Sequence, residues 1–312
     1  MLKLSSFIKN LTITSFLVTL ANMNEQLTMH RAEAEDREQS IPVLVSGLPG
    51  RMATLVAESL GRNGSFELLP VALTSGRHSG RHIEIGDKTI FLSHDRTDNF
   101  PYWRYHLKGG TIAVDFTTPD SVDHNAERYV SARIPFVMGT TGGGREEIER
   151  MVRNSKISAV IAPNMAASVV EVQAELANLI ETSPDHFRDW QMTIRESHQV
   201  AKRDVSGTAR AFQAQLERLG AIMEVEIESV RDPEAQRQLG IKNVDGHAYH
   251  WITLTSPNSN RREFTTQIEG RQPYVEGTLM AIRFLSGKMR EGSQGEVFSM
   301  MDVVRERREV TK

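Results

Sequence analysis

Glu196 to Ala209 reads Glu-Ser-His-Gln-Val-Ala-Lys-Arg-Asp-Val-Ser-Gly-Thr-Ala. It brings a titratable imidazole (His198), an ammonium (Lys202) and a carboxylate (Asp204) into one short stretch. Ser206, Gly207 and Thr208 then read as the start of a helix, whose unpaired amides and dipole favour an anion. A proton donor, a fixed positive charge and an anion-binding helix end in one loop describe the substrate site of an enzyme. His198 and Lys202 lie four apart and would share a face on a helix. The strand-like run before them and the glycine after them favour a loop instead. A lone histidine is ordinarily structural and a lone lysine ordinarily solvated, so the weight rests on the two together beside Ser-Gly-Thr. Asp204 could cap the helix or orient Lys202.

The alternating run Trp190 to Arg195 leads into this stretch as a strand, and Ala209 to Leu219 leads out as a helix. What brings a cofactor to it lies earlier. Ile41 to Ser46 is a short β-branched run typical of a buried parallel strand. Gly47-Leu-Pro-Gly50 breaks it, Arg51 to Leu60 has helical spacing, and Phe66 to Leu73 is a second strand. Strand, glycine turn, helix, strand opens a βαβ unit, in which Gly47 and Gly50 let backbone amides approach a pyrophosphate. Arg51 could reach a phosphate. An acid at the end of the second strand would bond a ribose 2′-hydroxyl. Here Thr74-Ser75-Gly76-Arg77-His78 holds no acid, and Arg77 could neutralise a 2′-phosphate, which favours NADP.

The alternation continues with strands expected at Lys88–Leu92, Thr111–Phe116, Pro135–Met138 and Ser158–Ala162. Helices are expected at Ser121–Ala132 and Arg145–Asn154. The strands end in Asp115-Phe116-Thr117-Thr118-Pro119, Gly139-Thr140-Thr141-Gly142 and Pro163-Asn164-Met165, which a parallel sheet gathers at its carboxyl edge. Asp115 could serve the nicotinamide end of a cofactor or cap the helix after it. Ala167 to Thr182 is a long helix. Strand-rich texture follows at Gln191–Arg195, Glu224–Val230, Tyr249–Thr255 and Glu263–Ile268, interrupted by a helix at Thr208–Leu219. A last helix runs from Tyr274 to Gly287. The expected fold class is α/β: a Rossmann-like dinucleotide-binding domain over 40–166, then an α+β substrate and oligomerisation domain over 167–285. Residues 286–312 form a C-terminal segment that could return to the first domain.

A chain of 312 residues, 39% hydrophobic and 25% charged, is long enough for two globular domains. A net charge of -3 gives no reason to expect nucleic-acid or membrane-surface binding. The absence of cysteine removes disulfides, thiol nucleophiles and thiolate metal sites. No apolar run approaches the roughly 20 residues that cross a bilayer. Gly246-His247-Ala248-Tyr249-His250 has a metal-like histidine pair but no further ligands, so no metal is expected. Residues 1–39 read as lying outside the fold. They could be a plastid-type presequence, a weak secretory signal or an extended gene start, since Met23 and Met29 could each begin translation. The first reading implies the plastid stroma, and a chain without a presequence the cytoplasm.

Taken together, these motifs resemble the 4-hydroxy-tetrahydrodipicolinate reductase (dihydrodipicolinate reductase) family, in its plant-type branch, from about Val43 to Arg305. The carriers are Gly47-x-x-Gly50-Arg51-Met52, Val114-Asp115-Phe116-Thr117, Met138 to Gly142, Ala162 to Met165 and Glu196 to Ala209. Gly246-His247-Ala248-x-His250 and Tyr274-x-Glu276-Gly277-Thr278 add to the plant-type match. Gln199 stands where the bacterial pattern has a second histidine, and Val205 where it has proline. The resemblance implies hydride transfer from NADPH, or NADH, to a cyclic unsaturated dicarboxylate with loss of water, in lysine biosynthesis through diaminopimelate. It implies His198 as proton donor and Lys202 as positive charge. It implies a substrate carboxylate held by Thr140, Ser206, Gly207 and Thr208. It implies cofactor contacts from Gly47, Gly50, Arg51, Met52, Thr74, Arg77, Phe116, Gly139, Thr141, Pro163, Asn164 and Met165, and a homo-oligomer, commonly a tetramer. Hydride addition to a conjugated imine builds negative charge, which an adjacent acid and cation stabilise. Two other readings stay open from the residues alone. One is an NADP-dependent two-domain dehydrogenase acting on an amino acid or sugar. The other is a non-catalytic binding protein that kept the nucleotide fold.

Overall fold

A computed structural model describes residues 40–94 and 102–310. The presequence expectation for residues 1–39 lies outside the described residues. The short β-branched runs form the middle of an eight-stranded sheet. Its strands are β1 (Ile41–Ser46), β2 (Phe66–Leu73), β3 (His82–Ile85), β4 (Lys88–Ser93), β5 (Ile112–Asp115), β6 (Phe136–Met138), β7 (Ala159–Ile161) and β12 (Val297–Phe298). The order is β12-β7-β6-β5-β1-β2-β4-β3, parallel except for the β3–β4 pair. The chain leaves β1 for β2 on one side and later returns to β5 on the other. Such a reversal opens a crevice beyond the carboxyl ends of the strands.

Alternation along each strand splits the core into two layers. Val43, Val45, Val114, Val137 and Val160 face one side; Leu44, Ala113, Phe136 and Ala159 face the other. Helices α2 (Val122–Ala132) and α3 (Arg145–Arg153) cover the second side through Ala126, Tyr129, Ile148 and Val152. The first side is covered by α1 (Arg51–Gly61), by α4 (Ala167–Thr182) in part, by α7 (Gln272–Arg290) and by α8 (Met300–Val310). The return to the first sheet therefore begins at α7, before residue 286, because Val275, Ala281, Ile282 and Leu285 join that core.

A second sheet has the order β11-β10-β8-β9, from β8 (Gln191–His198), β9 (Glu228–Val230), β10 (His247–Thr255) and β11 (Arg261–Glu269). Helices α4 and α5 (Gly207–Glu217) pack on one face of it through Leu176, Phe212 and Leu216. Helix α6 (Pro233–Gln238) follows β9, with Asp232 accepting from the Ala235 N–H as its cap. Close approach fixes how α7 meets the first domain: a Cβ on Gly277 would lie 1.7 Å from the Met165 carbonyl oxygen. Any larger residue there would push the helix off the loop that follows β7.

Candidate active site

Strand β8 runs three residues beyond Arg195 and ends on His198. Met192, Ile194, Glu196 and His198 share one face by the period of two. The first two enter the second-sheet core, and Glu196 follows them to 0% exposure. A carboxylate so placed needs partners. It accepts from His198 Nδ1 (2.7 Å), Ser229 Oγ (2.6 Å), Arg231 Nη1 (2.9 Å) and Nη2 (2.5 Å), and the Ser206 N–H (3.3 Å). Burial alone would raise this carboxyl pKa. The bonds from His198, Arg231 and Ser229 outweigh burial and hold it well below the usual carboxylate range. An ionised carboxylate only accepts, so His198 Nδ1 carries the proton and Nε2 is left to exchange one.

Lys202 follows in a turn closed by its N–H on the Gln199 carbonyl (2.9 Å) and is half-buried. Ser206 caps α5, its Oγ accepting from the Ala209 N–H. The amides of Gly207 and Thr208, in the first turn of α5, have no intrahelical acceptor. A Cβ on Gly207 would meet nothing within 4 Å, so this helix end opens onto free space.

On the first sheet, the sharp turn after β1 depends on Gly47. Its φ is 107°, and a Cβ would lie 2.0 Å from the Phe116 carbonyl oxygen. Thr74 Oγ1 donates to the Leu48 carbonyl (2.5 Å) and pins this turn to the end of β2. A cavity of about 480 Å³ opens there, lined by Gly47, Gly50, Thr74, Arg77 and Phe116 among the expected residues, and by His78, His94, His124 and Arg128. Space kept by glycine beside a helix N-terminus, with the Arg77 and Arg128 guanidinium groups in the lining, fits a nicotinamide dinucleotide. Asp115, 0% exposed, ties the neighbouring loops together. It accepts from Thr117 Oγ1 (2.7 Å), Thr140 Oγ1 (2.7 Å), Asn125 Nδ2 (2.8 Å) and Tyr129 OH (2.9 Å). The two halves meet where Asn164 Nδ2 donates to Thr208 Oγ1 (3.4 Å), which sets the loop after β7 against the N-terminus of α5.

The family model for the dihydrodipicolinate reductase N-terminus matches residues 41–165, and the one for its C-terminus matches residues 169–304. This chain belongs to the dihydrodipicolinate reductase family. It is 34% identical to the probable 4-hydroxy-tetrahydrodipicolinate reductase 1, chloroplastic, of Oryza sativa subsp. japonica, over 93% of this chain and 86% of that one. It is 36% identical to the 4-hydroxy-tetrahydrodipicolinate reductase 2, chloroplastic, of Arabidopsis thaliana, over 85% and 78%. The dipicolinate-bound dihydrodipicolinate reductase from Paenisporosarcina sp. TG-14 shares the fold, with a TM-score of 0.55 at 19% identity, over 84% of this chain and 98% of that one.

Within this site, several expected residues take positions that narrow what each can offer. The Thr140 hydroxyl donates to Asp115 and accepts from the Thr117 N–H (2.8 Å), so its backbone N–H is the donor it has left for a ligand. Ser206 Oγ is held by the Ala209 N–H and by His250 Nε2 (2.9 Å), so Ser206 offers the helix end and not a free hydroxyl. Ser206, not Asp204, caps the helix, and Asp204 contributes its carbonyl to Arg231. Met52 and Met165 turn their side chains into the first core, while Arg51, Thr141 and Pro163 are exposed. Gly139 lies against the Phe116 ring. His247 and His250 are an odd number apart and point to opposite faces of β10. His247 bonds Ser197 Oγ and the Asn243 carbonyl; His250 bonds Ser206 and Thr266.

Three residues that complete the site were missed from sequence: Glu196, Arg231 and His250. Glu196 carried a usable signal, an acid at a core position of an alternating strand. Arg231 and His250 carried none, because their partners lie 35 and 44 residues away.

Proposed function

We propose that the chain catalyses the NAD(P)H-dependent reduction of 4-hydroxy-tetrahydrodipicolinate to tetrahydrodipicolinate, with loss of water, in lysine biosynthesis through diaminopimelate. Matches to both halves of one family do not favour the alternative of an amino-acid or sugar dehydrogenase. One observation carries the residue roles: Glu196 holds both His198 and Ser206, the cap of α5, while that helix end is bonded to the cofactor-side loop through Asn164.

Gly47, Gly50, Arg51, Met52 and the N-terminus of α1 cradle the pyrophosphate. Phe116, Gly139, Thr141, Pro163, Asn164 and Met165 form the nicotinamide end. When bound, the cofactor supplies the hydride. His198 delivers a proton from Nε2, with Glu196 fixing the ring and its tautomer through Nδ1. Lys202 stabilises the negative charge that builds on the substrate. The amides of Gly207, Thr208 and Thr140, at the helix end that Ser206 caps, hold one carboxylate of the dicarboxylate. Thr74 shapes the turn, and Arg77 in the cavity lining supplies a cation for a 2′-phosphate, which favours NADPH over NADH. The protein acts as a homo-oligomer. Its place is the plastid stroma if residues 1–39 are a presequence, in keeping with relatives named chloroplastic, and otherwise the cytoplasm.

The test is a coupled assay in which dihydrodipicolinate synthase supplies substrate and oxidation of NADPH or NADH is followed. The expected result is turnover with both cofactors and a higher kcat/KM with NADPH. His198→Gln should lower kcat by roughly 10²–10⁴-fold with cofactor binding retained. Turnover close to wild type in that variant removes His198 from its role, and a preference for NADH overturns the reading of Thr74 to His78.

A further inference from the structure

His198 and Lys202 sit on different local structures, one at the end of a strand and the other in the turn after it. That turn is a surface element, with Val200 57% exposed. Catalysis needs the acid and the cation held in fixed relation, since a small displacement of either costs rate. The constraint comes from a distant residue.

Arg231 lies between β9 and α6, and all five of its N–H donors are used. Nε donates to the Lys202 carbonyl (2.8 Å). Nη1 donates to Glu196 Oε2 (2.9 Å) and the Val230 carbonyl (3.0 Å). Nη2 donates to Glu196 Oε1 (2.5 Å) and the Asp204 carbonyl (3.2 Å). One planar fork thus grips both oxygens of the carboxylate that orients His198 and two carbonyls of the turn that carries Lys202. Gln236, from the adjoining α6, donates to the His198 carbonyl (2.8 Å) and fastens the same connection to the end of β8.

We infer that Arg231 is the positioning residue that sets His198 and Lys202 in register. This rests on the roles proposed above for those two residues. A lysine cannot replace it, because an ammonium has the charge but not the flat five-donor fork. Arg231 also brings its charge to the carboxylate that the His198 ring bonds. Among the described residues, the other titratable groups beside His198 are His250, whose ring centroid is 5.4 Å away, and His247. Neither of them bonds Glu196.

The experiment compares Arg231→Lys and Arg231→Gln with wild type and with His198→Gln, using the full-length chain. It measures kcat, substrate KM, the kcat–pH profile, NADPH affinity by fluorescence, and Tm. Both Arg231 variants should lose roughly 10–10²-fold in kcat with NADPH affinity within about twofold, because the cofactor cavity belongs to the other sheet. In Arg231→Gln the basic limb of the kcat–pH profile should move to higher pH, since the positive charge bonded to the carboxylate partner of His198 is then lost. In Arg231→Lys that limb should return toward wild type while kcat stays low, because charge is restored and the fork is not. The inference is overturned by kcat within about twofold of wild type in both variants. It is equally overturned by NADPH affinity falling in step with kcat, which marks a general structural role, or by a pH limb that does not respond to the charge at position 231. Wild-type turnover in His198→Gln breaks the proposed role of His198 instead, whatever the Arg231 variants do.

Discussion

Among the described residues two carboxylates are fully buried, and they are built differently. Asp115 closes β5 in the first sheet and is surrounded by neutral donors: Thr117, Thr140, Asn125 and Tyr129. Glu196 lies near the end of β8 in the second sheet and is bonded to a guanidinium and an imidazole. Both gather loops at a strand end. Neutral donors give Asp115 directional bonds and no mobile proton of ordinary pKa; the Tyr129 hydroxyl is pushed well above its usual value by burial and then by Asp115. Charged partners give Glu196 a place in a titrating network. The first arrangement suits a rigid binding edge, and the second suits proton transfer.

The largest effect should follow from breaking the charged network. Glu196→Gln leaves the Arg231 guanidinium without its anion and puts an amide NH2, a donor, against one set of the groups that now donate to the carboxylate. Removing one partner of a buried ion pair costs about 3–5 kcal/mol of stability. Turnover should fall by at least about 10²-fold, within the range a positioned acid provides, while NADPH affinity is nearly kept. Denaturant titration and steady-state kinetics read the two quantities separately. A stable variant with wild-type kcat would mean that Glu196 is a structural acid like Asp115.

Asp115→Asn should act on the opposite parameter. The new amide points a donor at groups that already donate, which costs about 1–3 kcal/mol for the bonds lost. The Thr117 and Thr140 loops loosen, so the cofactor KM should rise by roughly 10-fold. Turnover at saturating cofactor should stay within a few-fold of wild type. If kcat falls and cofactor KM does not, the division of labour between the two carboxylates is wrong.

The same contrast explains what could be read from the sequence. The middle of the first sheet was legible because its strands bury both faces, so short runs such as Ile41–Ser46 and Phe66–Leu73 announce themselves, and glycine marks the turns after β1 and β6. The edge strands His82–Ile85 and Val297–Phe298 were not foreseen. The second sheet was legible only where alternation stayed apolar. The strand expected to stop at Arg195 runs on to His198, because the buried position at 196 is an acid whose partners are supplied by β9 and the residues after it. The strand expected over Glu224–Val230 forms only over Glu228–Val230. Ile222 makes a single bridge with Gln191, and Glu224 and Glu226 between them are exposed. His198 and Lys202 could be singled out as chemical types. What fixes them could not, since a hydrogen bond across 35 residues leaves no local pattern.

The smallest effect separates the network's members by pH. His250 is 2% exposed, and burial, aided by the nearby His198, pushes its pKa down to about 3 from an ordinary 6.5. The folded protein keeps it neutral where the unfolded chain binds a proton, so stability falls as pH drops from about 6.5 toward about 3. Glu196 behaves differently. Its depressed pKa adds stability that is complete above the ordinary value of 4.5 and is lost only as pH falls below it. Between about 6.5 and 4.5, then, His250 contributes to the slope and Glu196 does not. One proton corresponds to about 1.4 kcal/mol per pH unit. His250→Gln keeps a polar group toward Ser206 without the titration, and should flatten the stability–pH curve in that upper window by up to this amount. Glu196→Gln should flatten it only below about 4.5. Urea unfolding at a series of pH values reads both. If the His250 variant keeps the full upper slope, His250 is not held neutral by burial, and its bond to the cap of α5 must then be made by a charged ring.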